Sequence, residues 1–175
     1  MNDFLPLAEM TGVWTRNCRI HQDERGHFFE EVRRTSLPNE VPDFVQDSIS
    51  FSKRNVLRGM HLQQNQWQLI TLLSGQITDV VLNLDGDSSE FRQSASMSLS
   101  WNGTNQVLIR PGIAHGYAVT SEDAIIHYKS SVYYGDTPQT GVHWRSNELM
   151  SHWPDGDWTI SPRDSDFQVL REKSY

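Results

Sequence analysis

Short runs of β-branched, aliphatic and aromatic residues recur along the whole chain, and they constrain its fold more than any other feature. Gly, Asn, Asp, Ser and Pro separate these runs, and apolar residues at helical spacing are nearly absent. This pattern predicts an all-β protein, a barrel or sandwich of short strands. The predicted strands cover 28–34, 44–52, 56–63, 67–74, 77–84, 92–100, 106–110, 116–120 and 124–134.

The length of 175 residues suits one domain with a substantial core and is too short for two ordinary domains, so we predict a single domain over 1–175. The segment 35–42 is the best candidate for a short helix or for an irregular excursion of the chain. The C-terminal segment from Trp144 onward also carries Trp153 and Trp158 among Pro and Gly, which predicts an irregular tail packed on the barrel through its aromatics.

The overall charge limits the partners that the protein can attract. A net charge of −7 and a pI near 5.4 speak against nucleic acids and acidic membrane surfaces, because the long-range field repels them. An anionic small molecule would need a local cationic pocket. Arg supplies all but three of the fifteen basic residues, and its guanidinium suits bidentate contacts with phosphate or carboxylate.

Cys18 is the only cysteine, so the chain can form no intrachain disulfide and no thiolate zinc site. The first ten residues lack a basic region followed by an apolar stretch, and no run of eighteen apolar residues occurs. We therefore expect a cytoplasmic protein with no membrane partner.

Polar side chains interrupt strands that otherwise look apolar. His61 and Gln63 share one face of a predicted strand because side chains alternate, and Gln68 shares a face with Ile70 on the next strand. His115 follows a glycine-containing turn at the start of another apolar strand. All four polar residues could line the interior of a small barrel, which would then be a binding site. They could alternatively face solvent on the outside of the sheet.

The spacing of these residues favours the interior. His61-x-Gln63, then Gln68, Gly75 and a later Gly-x-x-His ending at His115, is the spacing of a cupin barrel, in which such positions often hold a metal. Transition-metal sites of this kind need imidazoles and a carboxylate, and two of the four positions here are neutral glutamines. We therefore predict no metal.

With those residues identified, the chain resembles the dTDP-4-dehydrorhamnose 3,5-epimerase family of metal-free cupins. The likeness runs nearly from end to end, and the order and spacing of its short motifs make it specific. The motifs are DERGHFFE (23–30), FVQDSIS (44–50), NVLRGMHLQ (55–63), GQITDVVLNL (75–84), PGIAHGYAV (111–119), YKSSVYY (128–134), WP (153–154) and SPRD (161–164).

The resemblance implies a jelly-roll cupin barrel that epimerises C3, C5 or both in a nucleoside-diphosphate 4-keto-6-deoxy sugar, without a cofactor. Such chemistry needs a base to remove the proton beside the ketone, a donor to the enolate oxygen, and an acid on the opposite face. By resemblance the base is His61, its orienting carboxylate is Asp164, and the acid is Tyr128.

The resemblance also implies the residues that bind substrate and the oligomeric state. Tyr134 falls at the position that stacks on the nucleotide base, although it would stack on any flat base, and relatives are homodimers. The positions for the sugar and diphosphate fall on Arg25, Glu30, Gln46, Arg58, His115, Arg163 and Gln139.

One departure from the family pattern concerns the enolate. Gln68 stands where relatives usually carry Lys, and an amide donates a neutral hydrogen bond, about half as strong as a charged one. Loss of a well-aimed oxyanion donor costs roughly 3 to 4 kcal/mol. Three interpretations stay open: an active but altered epimerase, a different reaction in the same pocket, and a catalytically silent sugar-nucleotide binding protein. A metal-dependent cupin enzyme is a further rival.

Overall fold

Two long, bent strands form the centre of the protein, and the other strands of the main sheet extend from them. A computed structural model describes residues 3–136 and 138–170. The described strands are β1 (Leu5–Pro6), β2 (Val13–Arg16), β3 (Ile20–Asp23), β4 (Gly26–Phe29), β5 (Gln46–Lys53), β6 (Leu57–Leu62), β7 (Gln68–Asn83), β8 (Ser94–Ser100), β9 (Gln106–Ile109), β10 (Ile113–Ser130) and β11 (Thr140–Gly141). A 3-10 helix covers Arg34–Ser36 and a helix, α1, covers Pro162–Ser165.

β7 and β10 pair antiparallel along most of their length, and each has different outer partners in its two halves. The first half of β7 pairs with β9 and the second with β8. The first half of β10 pairs with β6 and the second with β5. β7 bends at Gly75, where φ is +88° and a Cβ atom would lie 2.1 Å from the carbonyl oxygen of Asp123. This closed arrangement confirms the predicted all-β jelly-roll fold.

The core lies between the folded halves of this sheet. Ile70, Leu72, Ile77 and Leu99 are fully buried in one cluster. A second cluster joins Leu57, Met60 and Leu82 to the C-terminal segment, where Trp153 is buried and Trp144 and Trp158 pack against it. The predicted attachment of the tail by its aromatics is confirmed.

Some predicted element boundaries are wrong. The segments 67–74 and 77–84 form one strand, as do 116–120 and most of 124–134. The segment 28–34 is a strand only through Phe29, because Glu30 and Arg33 pair with each other and the chain enters the 3-10 helix. The candidate helix at 35–42 is reduced to the end of that 3-10 turn. None of the described helices has the length and apolar character to cross a membrane.

Candidate active site

A cavity of about 260 Å³ opens between β5, β6, β7 and β10. His61, Gln63, Gln68 and His115 all line it, so the prediction that these polar strand residues share one interior is confirmed. His61 and His115 are direct cross-strand neighbours in the pairing of β6 with β10. The apolar side chains of the same strands, such as Met60 and Leu69, are buried in the core.

His61 is held by a carboxylate from a distant part of the chain. Its Nε2 lies 2.8 Å from Oδ1 of Asp164, and the backbone N–H of Gly59 donates to Oδ2 of Asp164 at 3.1 Å. Burial raises the pKa of Asp164, but the hydrogen bonds and charge of His61, the Gly59 N–H and the Arg163 charge outweigh burial and lower this pKa to about 2. Asp164 is therefore ionised at neutral pH and accepts a hydrogen bond from His61.

The local sequence explains how Asp164 reaches this position. α1 begins at Pro162, a residue favoured in the first turn of a helix, and Ser161 is its N-cap. The backbone N–H of Asp164 donates to Oγ of Ser161 at 3.1 Å. Ser161 and α1 thus fix a short turn that directs the carboxylate toward β6.

Arg163 competes for the same imidazole nitrogen. Its Nη2 lies 2.9 Å from Nε2 of His61, and a guanidinium can only donate. Because the ionised carboxylate of Asp164 can only accept, we assign the hydrogen of neutral His61 to Nε2. Nδ1 then carries the lone pair and is the atom that can accept a proton.

Tyr128 supplies a proton donor in the same cavity. Burial, followed by the neighbouring Tyr117, raises the pKa of Tyr128 well above its ordinary value of 10, although a hydrogen bond with Ser50 opposes this. The hydroxyl oxygens of Tyr128 and Ser50 are 3.3 Å apart. Tyr128 is therefore a neutral phenol near pH 7. Lys129 points to the opposite face, where it pairs with Asp47, as strand alternation predicts.

The sequence analysis missed a second histidine–carboxylate pair. Nε2 of His115 lies 2.6 Å from Oδ2 of Asp79, which is fully buried on β7. Burial raises the pKa of Asp79, while the charge and hydrogen bond of His115 oppose this rise. A lone carboxylate within the apolar run ITDVVLNL was the signal that could have identified it.

The remaining cavity residues include several neutral amides and two arginines. Gln63 donates to Oε1 of Gln139 at 3.2 Å. Gln46 accepts from the backbone N–H of Tyr134 at 2.7 Å, and the Tyr134 ring is exposed at the cavity wall. The cationic side chains that line the cavity within one copy are Arg58 and Arg163.

Arg25 and Glu30 lie outside the cavity of their own copy. Arg25 is at the exposed turn of the hairpin formed by β3 and β4, where its guanidinium pairs with Asp23. Glu30 follows β4 and pairs with Arg33 at 2.6 Å. Of the three arginines that the resemblance assigns to substrate binding, Arg58 and Arg163 therefore line the cavity of a single copy and Arg25 does not.

The described residues include no group of three or more His, Cys, Asp or Glu side chains arranged to hold a metal ion. The cavity offers the chemistry of side chains: an imidazole oriented by an ionised carboxylate, a neutral phenol, amides and guanidinium groups. Fold and site together describe a jelly-roll barrel whose cavity contains groups suited to acid–base chemistry.

Comparisons with known proteins identify the family. A sequence model of the dTDP-4-dehydrorhamnose 3,5-epimerase family matches residues 8–172. The Escherichia coli K12 dTDP-4-dehydrorhamnose 3,5-epimerase is 31% identical over 172 residues, which cover 94% of this chain and 93% of that protein. The dTDP-4-dehydrorhamnose 3-epimerase of Streptomyces niveus is 30% identical over 173 residues, covering 95% and 83%.

A solved structure supports the same family. The 3,5-epimerase of Legionella pneumophila Philadelphia 1, in complex with dTDP-4-keto-L-rhamnose, superimposes with a TM-score of 0.87 at 31% identity and covers 95% of this chain and 91% of that one. The chain belongs to the dTDP-4-dehydrorhamnose 3,5-epimerase family. It is an epimerase and therefore an isomerase.

Proposed function

We propose that the protein epimerises C3, C5 or both in a nucleoside-diphosphate 4-keto-6-deoxy sugar, within deoxysugar biosynthesis, using His61 as base and Tyr128 as acid. The observation that carries this proposal is the buried, ionised Asp164 that orients His61 in the cavity that also contains the Tyr128 phenol. The family membership and the sugar nucleotides named for its relatives support the substrate class.

The reaction requires two proton transfers on opposite faces of one carbon. Nδ1 of His61 takes the proton beside the C4 ketone, and the electron pair of the broken C–H bond moves into an enolate on the C4 oxygen. The hydroxyl of Tyr128 then gives its proton to the other face, and the carbonyl forms again. Asp164 stabilises the imidazolium that exists between these steps.

Gln68 is the proposed donor to the enolate oxygen. Its amide lines the cavity, but it brings no positive charge to the developing anion. His115 also lines the cavity, and its Nε2 is bound to Asp79, so His115 can share this task through Nδ1.

We propose that Arg58 and Arg163 bind the diphosphate and that Tyr134 stacks on the nucleotide base, with Gln46 and Gln139 completing the polar wall. The exposed position of Tyr134 supports this role, because a flat base needs an open aromatic face. An anionic diphosphate would also draw Arg163 away from its donor-to-donor contact with His61.

We propose a homodimer in which Arg25 and Glu30 reach the cavity of the partner. Among the described strands β5 pairs only with β10, and its Phe51 side chain is 57% exposed. Ile49, at the edge of the cavity, is 69% exposed. Phe28 on the hairpin is 70% exposed. An open strand edge with exposed apolar side chains is a surface that pairing with a second copy would cover.

Incubation in deuterated water with nucleotide-linked 4-keto-6-deoxyglucose tests the function. We expect deuterium at C3, C5 or both, and uptake at one carbon would identify a mono-epimerase. His61→Ala should abolish uptake while nucleotide-sugar affinity stays within about tenfold, because the binding residues remain. His152→Ala, a histidine outside the cavity, is the matched control.

Other outcomes would reject the proposal. No deuterium uptake with any nucleotide tried, together with tight binding, would identify a silent binding protein. Stoichiometric metal in the purified protein, with uptake lost on its removal, would favour a metal-dependent cupin. Conversion of the sugar nucleotide to a product that is not an epimer of the substrate would indicate a different reaction.

The cytoplasmic location and the single-domain organisation over 1–175 stay predictions. Cell fractionation tests the first, and limited proteolysis that yields no stable fragment shorter than the chain would support the second.

A further inference from the structure

We propose that Tyr117 is a positioning residue for Tyr128: it belongs to a one-way chain of hydroxyl groups that turns the Tyr128 proton toward the substrate. This inference rests on the proposed role of Tyr128 as the acid. Tyr117 is 2% exposed, and its ring packs in the main core cluster. Its hydroxyl lies 3.1 Å from the hydroxyls of both Ser50 and Ser52.

Three strands contribute to the chain. β6 supplies Arg58, β5 supplies Ser52 and Ser50, and β10 supplies Tyr117 and Tyr128. Nε of Arg58 donates to Oγ of Ser52 at 3.0 Å. The two serines are two residues apart and therefore point to the same face of β5. The contacts run in the order Arg58, Ser52, Tyr117, Ser50, Tyr128.

The first member of the chain sets the direction that we assign. A guanidinium has no acceptor, so Ser52 accepts from Arg58, and we assign the single hydrogen of Ser52 to its contact with Tyr117. Tyr117 then accepts from Ser52 and donates to Ser50. Ser50 in turn donates to the oxygen of Tyr128.

The last hydroxyl is the one that matters for chemistry. Tyr117 also interacts directly with Tyr128. In the assigned direction the Tyr128 oxygen accepts from Ser50, which leaves the Tyr128 hydrogen available to the cavity. When Tyr128 gives up this proton, the donor from Ser50 stabilises the phenolate that remains. Without Tyr117, nothing forces the Ser50 hydrogen toward Tyr128, and Tyr128 can donate to Ser50 instead.

The test separates proton removal from inversion. In deuterated water, Tyr117→Phe should keep the His61-dependent rate of deuterium incorporation within about threefold of the wild-type rate. Inversion at the carbon served by Tyr128 should fall about tenfold. The ratio of exchanged but uninverted sugar to inverted sugar should therefore rise about tenfold. Phe fills the same buried volume as Tyr, so we expect the variant to fold.

Further variants localise the effect to the chain. Ser52→Ala should raise the same ratio, and Ser52→Thr, which keeps the hydroxyl, should restore it. Tyr133→Phe removes an exposed hydroxyl beside the site and should leave the ratio unchanged. The ¹³Cζ resonance of Tyr128 in the free protein should shift in Tyr117→Phe and not in Tyr133→Phe.

An unchanged ratio in both Tyr117→Phe and Ser52→Ala would overturn the inference and leave the proposed function standing. Absence of deuterium uptake by the wild-type protein would instead reject the proposed function, and the inference with it. A fall in deuterium incorporation equal to the fall in inversion would assign Tyr117 a purely structural role.

Discussion

At the scale of single residues, Asp164 shows how the fold changes the chemistry of a side chain. A buried carboxylate without partners would favour its neutral form, yet the contacts of Asp164 lower its pKa to about 2 from the ordinary value of 3.8. The same contacts select the tautomer of His61. The carboxylate therefore contributes to stability and orients His61 through one set of atoms.

Asp164→Asn should separate these two contributions. We expect deuterium exchange to fall by about 100-fold or more, because an amide no longer favours the hydrogen on Nε2 or stabilises the imidazolium. Circular dichroism should show a retained fold. Exchange within about threefold of wild type would contradict the assigned role.

The same variant tests the pH dependence of stability. Because the folded pKa of Asp164 lies below its ordinary value, this carboxylate contributes stability that is fully present above about pH 4 and lost as the pH falls toward 2. The difference in unfolding free energy between wild type and Asp164→Asn should narrow by about 2 kcal/mol over that range. If urea titrations gave a difference in unfolding free energy that does not change with pH, Asp164 would not contribute stability through its lowered pKa.

By the family resemblance Gln68 stands where relatives usually carry Lys, and it offers a gain-of-function test. Gln68→Lys should raise turnover about tenfold if the amide only weakens enolate stabilisation, because a charged donor is about twice as strong. Gln76→Lys, an exposed position on the same strand, is the control. An unchanged or lower rate would indicate that glutamine is adapted to a different substrate oxygen.

At the scale of elements, the four-residue helix α1 depends on its cap. The Ser161 hydroxyl accepts from the backbone N–H of Asp164, the residue that orients His61. A missing cap typically costs about 1 kcal/mol, and here the loss would displace the carboxylate that contacts His61 as well as the helix.

Ser161→Ala should therefore lower deuterium exchange about fivefold or more, and Ser161→Thr should recover most of the loss. Ser165→Ala, at the other end of α1 and exposed, serves as the control. Equal exchange rates in Ser161→Ala and Ser165→Ala would show that the cap does not position Asp164.

The element boundaries illustrate what local patterns can predict. The sequence pattern predicts two strands, 67–74 and 77–84, where the structure has the single strand Gln68–Asn83, because glycine typically ends a strand. In the structure Gly75 adopts a positive φ that bends the strand without ending it, since β10 continues to pair on both sides. A bend and a turn have the same sequence signal, and only the partner strand distinguishes them.

At the scale of the whole molecule, the position of Arg25 suggests that one copy does not contain a complete site. The hairpin of β3 and β4 forms a separate two-stranded sheet and carries Arg25 away from the cavity of its own copy. A homodimer in which hairpins are exchanged would bring a third arginine to each cavity.

Complementation tests this arrangement. Arg25→Ala and His61→Ala should each be nearly inactive alone, but subunits mixed under exchanging conditions should recover about a quarter of wild-type activity, since half of the dimers contain one intact site. Size-exclusion chromatography should give a dimer for all samples. No recovery from a verified heterodimer would place Arg25 in its own cavity or outside the site.

The sequence alone determined the all-β class, the shared face of His61 and Gln63, and the burial of the C-terminal tryptophans, because these follow from alternation and polarity along single segments. The family resemblance added the pairing of His61 with Asp164. Only the tertiary structure revealed the Asp79–His115 contact, the hydroxyl chain through Tyr117, and the position of Arg25 outside its own cavity. Those features depend on the register and bending of strands far apart in the chain, and local side-chain patterns do not encode such distances.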